Sequence, residues 1–125
     1  NHSMQRPFTL LEIRLLLKHL VSALDQLHQL NIMIVLEAEQ SIPIKDIAGS
    51  GTVHLKLADF GQARVKQQSG QVQYSLEVGT KWYKAPEIIY GSRDYTEKVD
   101  MWSFGTILAE LLDHTPIFTG ASDLD

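Results

Sequence analysis

Residues 59–64 read Asp59-Phe60-Gly61-Gln62-Ala63-Arg64, and residues 79–87 read Gly79-Thr80-Lys81-Trp82-Tyr83-Lys84-Ala85-Pro86-Glu87. Read locally, Asp59 is a turn residue ahead of Gly61. Phe60 is expected to pack inward and Gly61 to supply backbone freedom. Arg64 to Tyr74 is polar and is interrupted by Ser69-Gly70, as suits a surface loop.

Working outward, Gly49-Ser50-Gly51 marks a turn, and Val53-His54-Leu55-Lys56-Leu57 alternates apolar and polar as a half-buried strand does. Further upstream, Thr9 and Glu12 have capping-box spacing, with Phe8 and Ile13 placed for a hydrophobic staple. Leu10, Ile13, Leu17, Leu20, Leu24 and Leu27 recur at steps of three and four, widened by Leu11, Leu15, Leu16 and Val21. That pattern predicts a core helix over 9–30. His28 near its end reads as a helix-end residue at the negative end of the helix dipole. Downstream, Tyr90 to Tyr95 reads as a turn, and Thr96 as the N-cap of a second helix over 96–113, with Glu97 in its first turn. Val99, Met101, Trp102, Phe104, Ile107, Leu108, Leu111 and Leu112 make that helix apolar nearly all round, which predicts burial. Pro116 closes the helical region.

The ordered set of motifs resembles the protein kinase family. Leu57 to Arg64 looks like KLADFGxAR, Trp82 to Glu87 like WYRAPE, and Val99 to Gly105 like DxWSxG. GSRDY (Gly91 to Tyr95), AELL (Ala109 to Leu112) and the final SDLD most resemble cyclin-dependent kinases of the CDK-activating and cell-cycle-related branches. The resemblance implies a mainly α (α+β) fold, the partial C-terminal lobe of a kinase. Helix E would span 9–30, the catalytic loop 34–41, the activation segment 59–87 and helix F 96–113. It also implies roles for single residues. Asp59 would be the metal ligand that bridges through Mg²⁺ to ATP. Ser75 would be the activating phosphosite and Arg64 one of the arginines that receive its phosphate. Gly79, Thr80, Trp82 and Lys84 would meet the protein substrate. Phe60, Gly61, Glu87 and Asp100 would be structural, Glu87 pairing with an arginine further on than this chain extends. Lys84 stands where the family has arginine, and a point-charge ammonium does not reproduce a planar fork.

One part of the pattern is broken. Where such kinases carry HRDLKPxN, this chain reads Ile34-Val35-Leu36-Glu37-Ala38-Glu39-Gln40-Ser41. The spacing is right and the chemistry is missing. Leu36 falls on the base, Ala38 on the lysine, Ser41 on the metal-binding asparagine and Val35 on the second phosphate-binding arginine. Lys45 and Asp46 lie several residues late and read as loop charges, and catalysis is sensitive to displacements of even ~1 Å. Nothing upstream resembles the Gly-rich loop or the lysine strand of the small lobe. The chain alone is therefore expected to be inactive. A rival account is genetic. Leu36 to Gln40 can be encoded as CTT-GAA-GCC-GAG-CAA, and the same letters read one base later begin Leu-Lys-Pro-Ser.

Composition sets the outer bounds. With 125 residues there is room for one domain at most, about half of a whole kinase. A 44% hydrophobic content is that of a globular domain. The net charge of −4 gives no reason to expect nucleic acid or an anionic membrane as partner. The lack of cysteine excludes disulfides and thiolate metal sites. No signal-peptide pattern or spanning run is seen, so cytoplasm or nucleus is the expectation. The readings to separate are a fragment of a cyclin-dependent-like serine/threonine kinase, a non-catalytic pseudokinase or interaction module, and a truncated gene product. The expected partners are a protein substrate and a cyclin or other regulatory subunit bound through the missing small lobe.

Overall fold

The computed structural model describes residues 7–34, 41–45, 53–58, 60–65, 81–92 and 94–120. Helix α1 runs Leu10–Gln29 and opens on the expected capping box. Thr9 Oγ1 accepts the Glu12 N–H at 3.2 Å, and the Glu12 carboxylate accepts the Thr9 N–H at 2.8 Å. The helix closes on Asn31, held at φ 58, a left-handed position that asparagine tolerates better than most residues. Its buried line is Ile13, Leu16, Leu20 and Leu24. The outer part of the expected stripe is not in the core: Leu10, Leu11 and Val21 are exposed. They lie on turns or sides of α1 that the rest of the core does not cover, whereas a periodic sequence counts them equally.

Strand β1 (Ile32–Met33) pairs antiparallel with β4 (Arg64–Val65), which follows the 3₁₀ turn Phe60–Gln62. Strand β2 (Ser41–Lys45) pairs antiparallel with β3 (Val53–Leu57), with Ser41 opposite Leu57 and Lys45 opposite Val53. β3 is the strand its alternation predicts. β2 corrects the reading of Lys45 as a loop charge, since Lys45 ends that strand. Ile42 and Ile44 alternate around Pro43 there, and proline is compatible with an edge strand because it lacks only a donor. The β2–β3 hairpin lies against α1 through β3.

Helix α2 is a short turn, Pro86–Ile89, with proline at its start. The chain then reverses at Gly91, whose φ of 78 favours glycine. Helix α3 spans Lys98–Asp113, two residues later than expected. Thr96 stays outside it, its Oγ1 accepting the Lys98 N–H at 3.4 Å. The helix ends on His114, left-handed at φ 62, which donates its N–H to the Glu110 carbonyl at 2.7 Å.

The core is a cluster of Leu20 and Leu24 from α1, Ile34, Tyr83 and Ile107 of α3, with Leu27, Leu55, Leu57, Trp82, Phe104 and Leu111 packed around it. α3 departs from the expectation of a helix buried all round. Its inward face carries Val99, Asp100, Ser103, Thr106 and Ile107, while Met101, Trp102 and Leu112 are exposed. The polar residues can face inward because each finds a partner; among the described residues no buried side-chain polar atom lacks one.

Candidate functional site

Asp100 sits in the first turn of α3 and has no exposed surface. One carboxylate oxygen, Oδ2, accepts the Nε2–H of His28 at 2.8 Å and the backbone N–H of Ile34 at 3.1 Å. Three parts of the chain therefore meet at one atom: the end of α1, the start of α3, and the residue that opens the stretch 34–41. A desolvated carboxylate is costly on its own and tolerable when charge-assisted donors surround it. From local sequence His28 reads as a residue at the negative end of the helix dipole. Its partner lies 72 residues away, a separation no local pattern reveals. Beside the pair, a cavity of about 30 Å³ is lined by His28, Asn31, Ile32, Met33 and Glu97, room for about one water molecule.

A second set of bonds fixes the end of the stretch 81–87 to α3. Ser103 Oγ donates to the Tyr83 carbonyl at 2.6 Å, and Tyr83 Oη donates to Glu110 Oε2 at 2.6 Å. Tyr83, Lys84 and Ala85 are buried there. Trp82 packs at the edge of the core and donates its indole N–H to the Gly120 carbonyl at 3.2 Å. Sequence reasoning gave Tyr83, Ser103 and Glu110 no role of their own. The i, i+7 spacing of Ser103 and Glu110 on one helix face was a usable signal, because both reach the same neighbouring residue.

The other expected site residues divide into those described and those not. Leu36, Ala38, Asp59, Ser75, Gly79 and Thr80 lie outside the described residues, as does Val35. Ser41 begins β2. Arg64 is half-buried and turns its guanidinium back to the carbonyls of Ala63 at 3.0 Å and Gly61 at 3.4 Å. Glu87 is exposed on α2, and its carbonyl accepts the Ser92 N–H at 2.8 Å. Phe60 corrects its expectation: it is 50% exposed, since the 3₁₀ turn that follows β3 carries the ring outside the core cluster. Gly61 is a correction too, for it shares that turn without a positive φ. Among the described residues no group of three or more metal-ligating side chains converges.

Comparison with known proteins places this arrangement. Residues 2–125 match the protein kinase domain. The chain is 38% identical over 121 residues to cyclin-dependent kinase 20 of Danio rerio, covering 97% of this chain and 34% of that protein. The human counterpart is 36% identical over the same length. Cyclin-dependent kinase G1 of Arabidopsis thaliana is 38% identical over 122 residues, 97% of this chain and 19% of that one. The chain thus spans about a third (34%) of the length of cyclin-dependent kinase 20. Among solved structures, the yeast RNA polymerase II CTD kinase CTDK-1 complex superposes with a TM-score of 0.80 at 27% identity, over 98% of this chain and 38% of that chain. The ordered motifs and these likenesses agree: the chain belongs to the protein kinase domain family, among the cyclin-dependent kinase-like members, and has the fold of part of that domain.

Proposed function

We propose that this chain is a large-lobe segment of a cyclin-dependent-like serine/threonine kinase that transfers no phosphate itself. The observation that carries the reading is the anchor at Asp100. The stem of the catalytic loop is held at Ile34, yet the residues that follow put Leu36 at the base and Ala38 at the lysine. Neither side chain can accept a proton or neutralise a phosphate.

In the parent protein the reaction is transfer of the ATP γ-phosphate to a serine or threonine of a protein substrate. Gly79 supports a proline-directed preference, and Lys84 in place of arginine weakens it. Asp59 is the metal ligand and Ser75 the activating phosphosite in this proposal, with Arg64 receiving the phosphate. The donor set left in the chain, one carboxylate at Asp59 and a serine at position 41, does not fit the paired metal ions that kinases hold with an aspartate and an asparagine. No step through Mg²⁺ and ATP is derived for it. A cyclin partner belongs to the parent, and so does a place in the cytoplasm or nucleus. No helix among the described residues is long and apolar enough to cross a membrane.

A second reading, a non-catalytic interaction module, is supported by the exposed apolar side of α3. One experiment addresses both. The purified chain is incubated with Mg²⁺, radiolabelled ATP and a serine-proline peptide, and nucleotide binding is measured in parallel. The expected result is neither transfer nor saturable binding. Transfer above background overturns the proposal, and binding without transfer favours the interaction module.

A further inference from the structure

The segment that follows α3 turns back onto the molecule. Phe118 stacks on Trp102 with ring centroids 5.9 Å apart and planes 11° from parallel. Two residues later, the Gly120 carbonyl accepts the indole N–H of Trp82. Thr115 Oγ1 bonds Asp113 at 2.8 Å where the segment leaves the helix. We propose that residues 115–120 are a strap that ties α3 to the segment 81–85 and sets the position of Trp82. Its functional weight rests on the reading that Trp82 meets the protein substrate; the coupling itself does not.

The chemistry of the two contacts supports this. An indole has a single donor and no acceptor, so the Gly120 carbonyl fixes which way the Trp82 ring is turned against the core. Trp102 and Phe118 are 41% and 48% exposed. Neither is held by a surrounding core, so their mutual stacking is what seats the strap. The neighbouring Tyr83 is already clamped to α3 by Ser103 and Glu110. The strap adds a third attachment on the adjacent residue. The Lys84 N–H closes the turn onto the Lys81 carbonyl at 3.1 Å, so a rotation of Trp82 is carried into the turn that places Lys84. Phe118 is thus a positioning residue, acting on 81–85 through Gly120.

The chain has two tryptophans, so the coupling can be read directly. The full chain is labelled with ¹⁵N-tryptophan, and the two indole signals are assigned with Trp82→Phe and Trp102→Phe. Phe118→Ala is expected to move the Trp102 signal, which loses a stacked ring, and the Trp82 signal, which loses its carbonyl. Ile117→Ala, at a neighbouring side chain 56% exposed, is expected to leave both in place. Movement of Trp102 alone in Phe118→Ala overturns the strap, as does equal movement of both signals in Ile117→Ala. If Phe118→Ala does not fold, Phe118→Leu keeps apolar bulk without a ring and is judged by the same two signals. The readout needs no peptide, so failure of the substrate reading would leave the indole result standing.

Discussion

Replacing Asp100 by alanine tests the anchor most directly. The substitution removes the one oxygen that receives the His28 Nε2–H and the Ile34 N–H. The Ile34 amide is then a buried donor without an acceptor, a cost of about 1–3 kcal/mol. The imidazole loses a hydrogen bond to a charged group, about 1.5–3 kcal/mol, part of which water restores because the His28 side chain is 17% exposed. Removing the desolvated carboxylate offsets some of both. The net expectation is a loss of ~3 kcal/mol, a large share of the roughly 5–15 kcal/mol that holds a domain together. Urea unfolding followed by circular dichroism reads it. With a slope of ~1–1.5 kcal/mol per M for a chain of this size, the midpoint falls by about 2–3 M. Asp100→Asn is the control. With its amide oxygen where Oδ2 stands it still accepts from both Ile34 and His28, now without the charge, so the expected loss is ~1 kcal/mol. Equal losses in the two variants, or an alanine variant within ~0.5 kcal/mol of the parent, would refute the three-way anchor.

Other substitutions separate what the fold uses from what it merely contains. Gly105 lies in the middle of α3 with nothing within 4 Å of where a Cβ would stand, so Gly105→Ala is expected to raise stability by ~1 kcal/mol in the same urea assay. Tyr83→Phe deletes the 2.6 Å bond to Glu110 and is expected to cost about 1.5–3 kcal/mol, with amide exchange rising at Lys84, whose N–H closes the adjacent turn. Leu20 is fully buried between α1 and the core cluster; Leu20→Ala is expected to cost about 2–5 kcal/mol, read as a fall in melting temperature.

Local chemistry was legible in the sequence and distant pairing was not. The Thr9–Glu12 box, the alternation of Val53 to Leu57 and the two long helices are consequences of spacing within a few residues, so they can be read directly. Leu10 and Leu11 misled because periodicity reports a face, whereas burial depends on what lies opposite it. Phe60 misled for the same reason: an aromatic ring enters a core only where a core is within reach. β2 was missed because its apolar residues are few and interrupted by Pro43, and the strand exists through its pairing with β3. The candidate site was half legible. Asp100 stood out through its motif, but its bonds to His28 and Ile34 span more than 60 residues and follow from the packing of α1 against α3.

The anchor also bears on why the loop chemistry is absent. Ile34 is held at Asp100 through its backbone N–H, and Ser41 enters β2 opposite Leu57 through backbone pairing. Backbone hydrogen bonds make almost no demand on side-chain identity. The two ends therefore place no requirement for a base at position 36, a lysine at 38 or an asparagine at 41; catalysis alone would preserve them. Once catalysis is not selected, these positions drift while the spacing persists, because the spacing is what joins the Asp100 anchor to β2. A displaced reading frame gives the same protein pattern by another route, and the two accounts part at the nucleotide level. Drift leaves no trace of the family loop in a neighbouring frame. Displacement leaves codons for Leu36 to Gln40 that spell Leu-Lys-Pro-Ser one base later. Sequencing the transcript from upstream of Asn1 through Gly61 decides between them. Codons incompatible with the shifted reading would make the loss of the base an evolved property, and a binding partner would then be the function to seek. Codons that restore the loop, together with a small lobe encoded upstream, would make the chain a damaged record of an active kinase and overturn the proposal that the natural product transfers no phosphate.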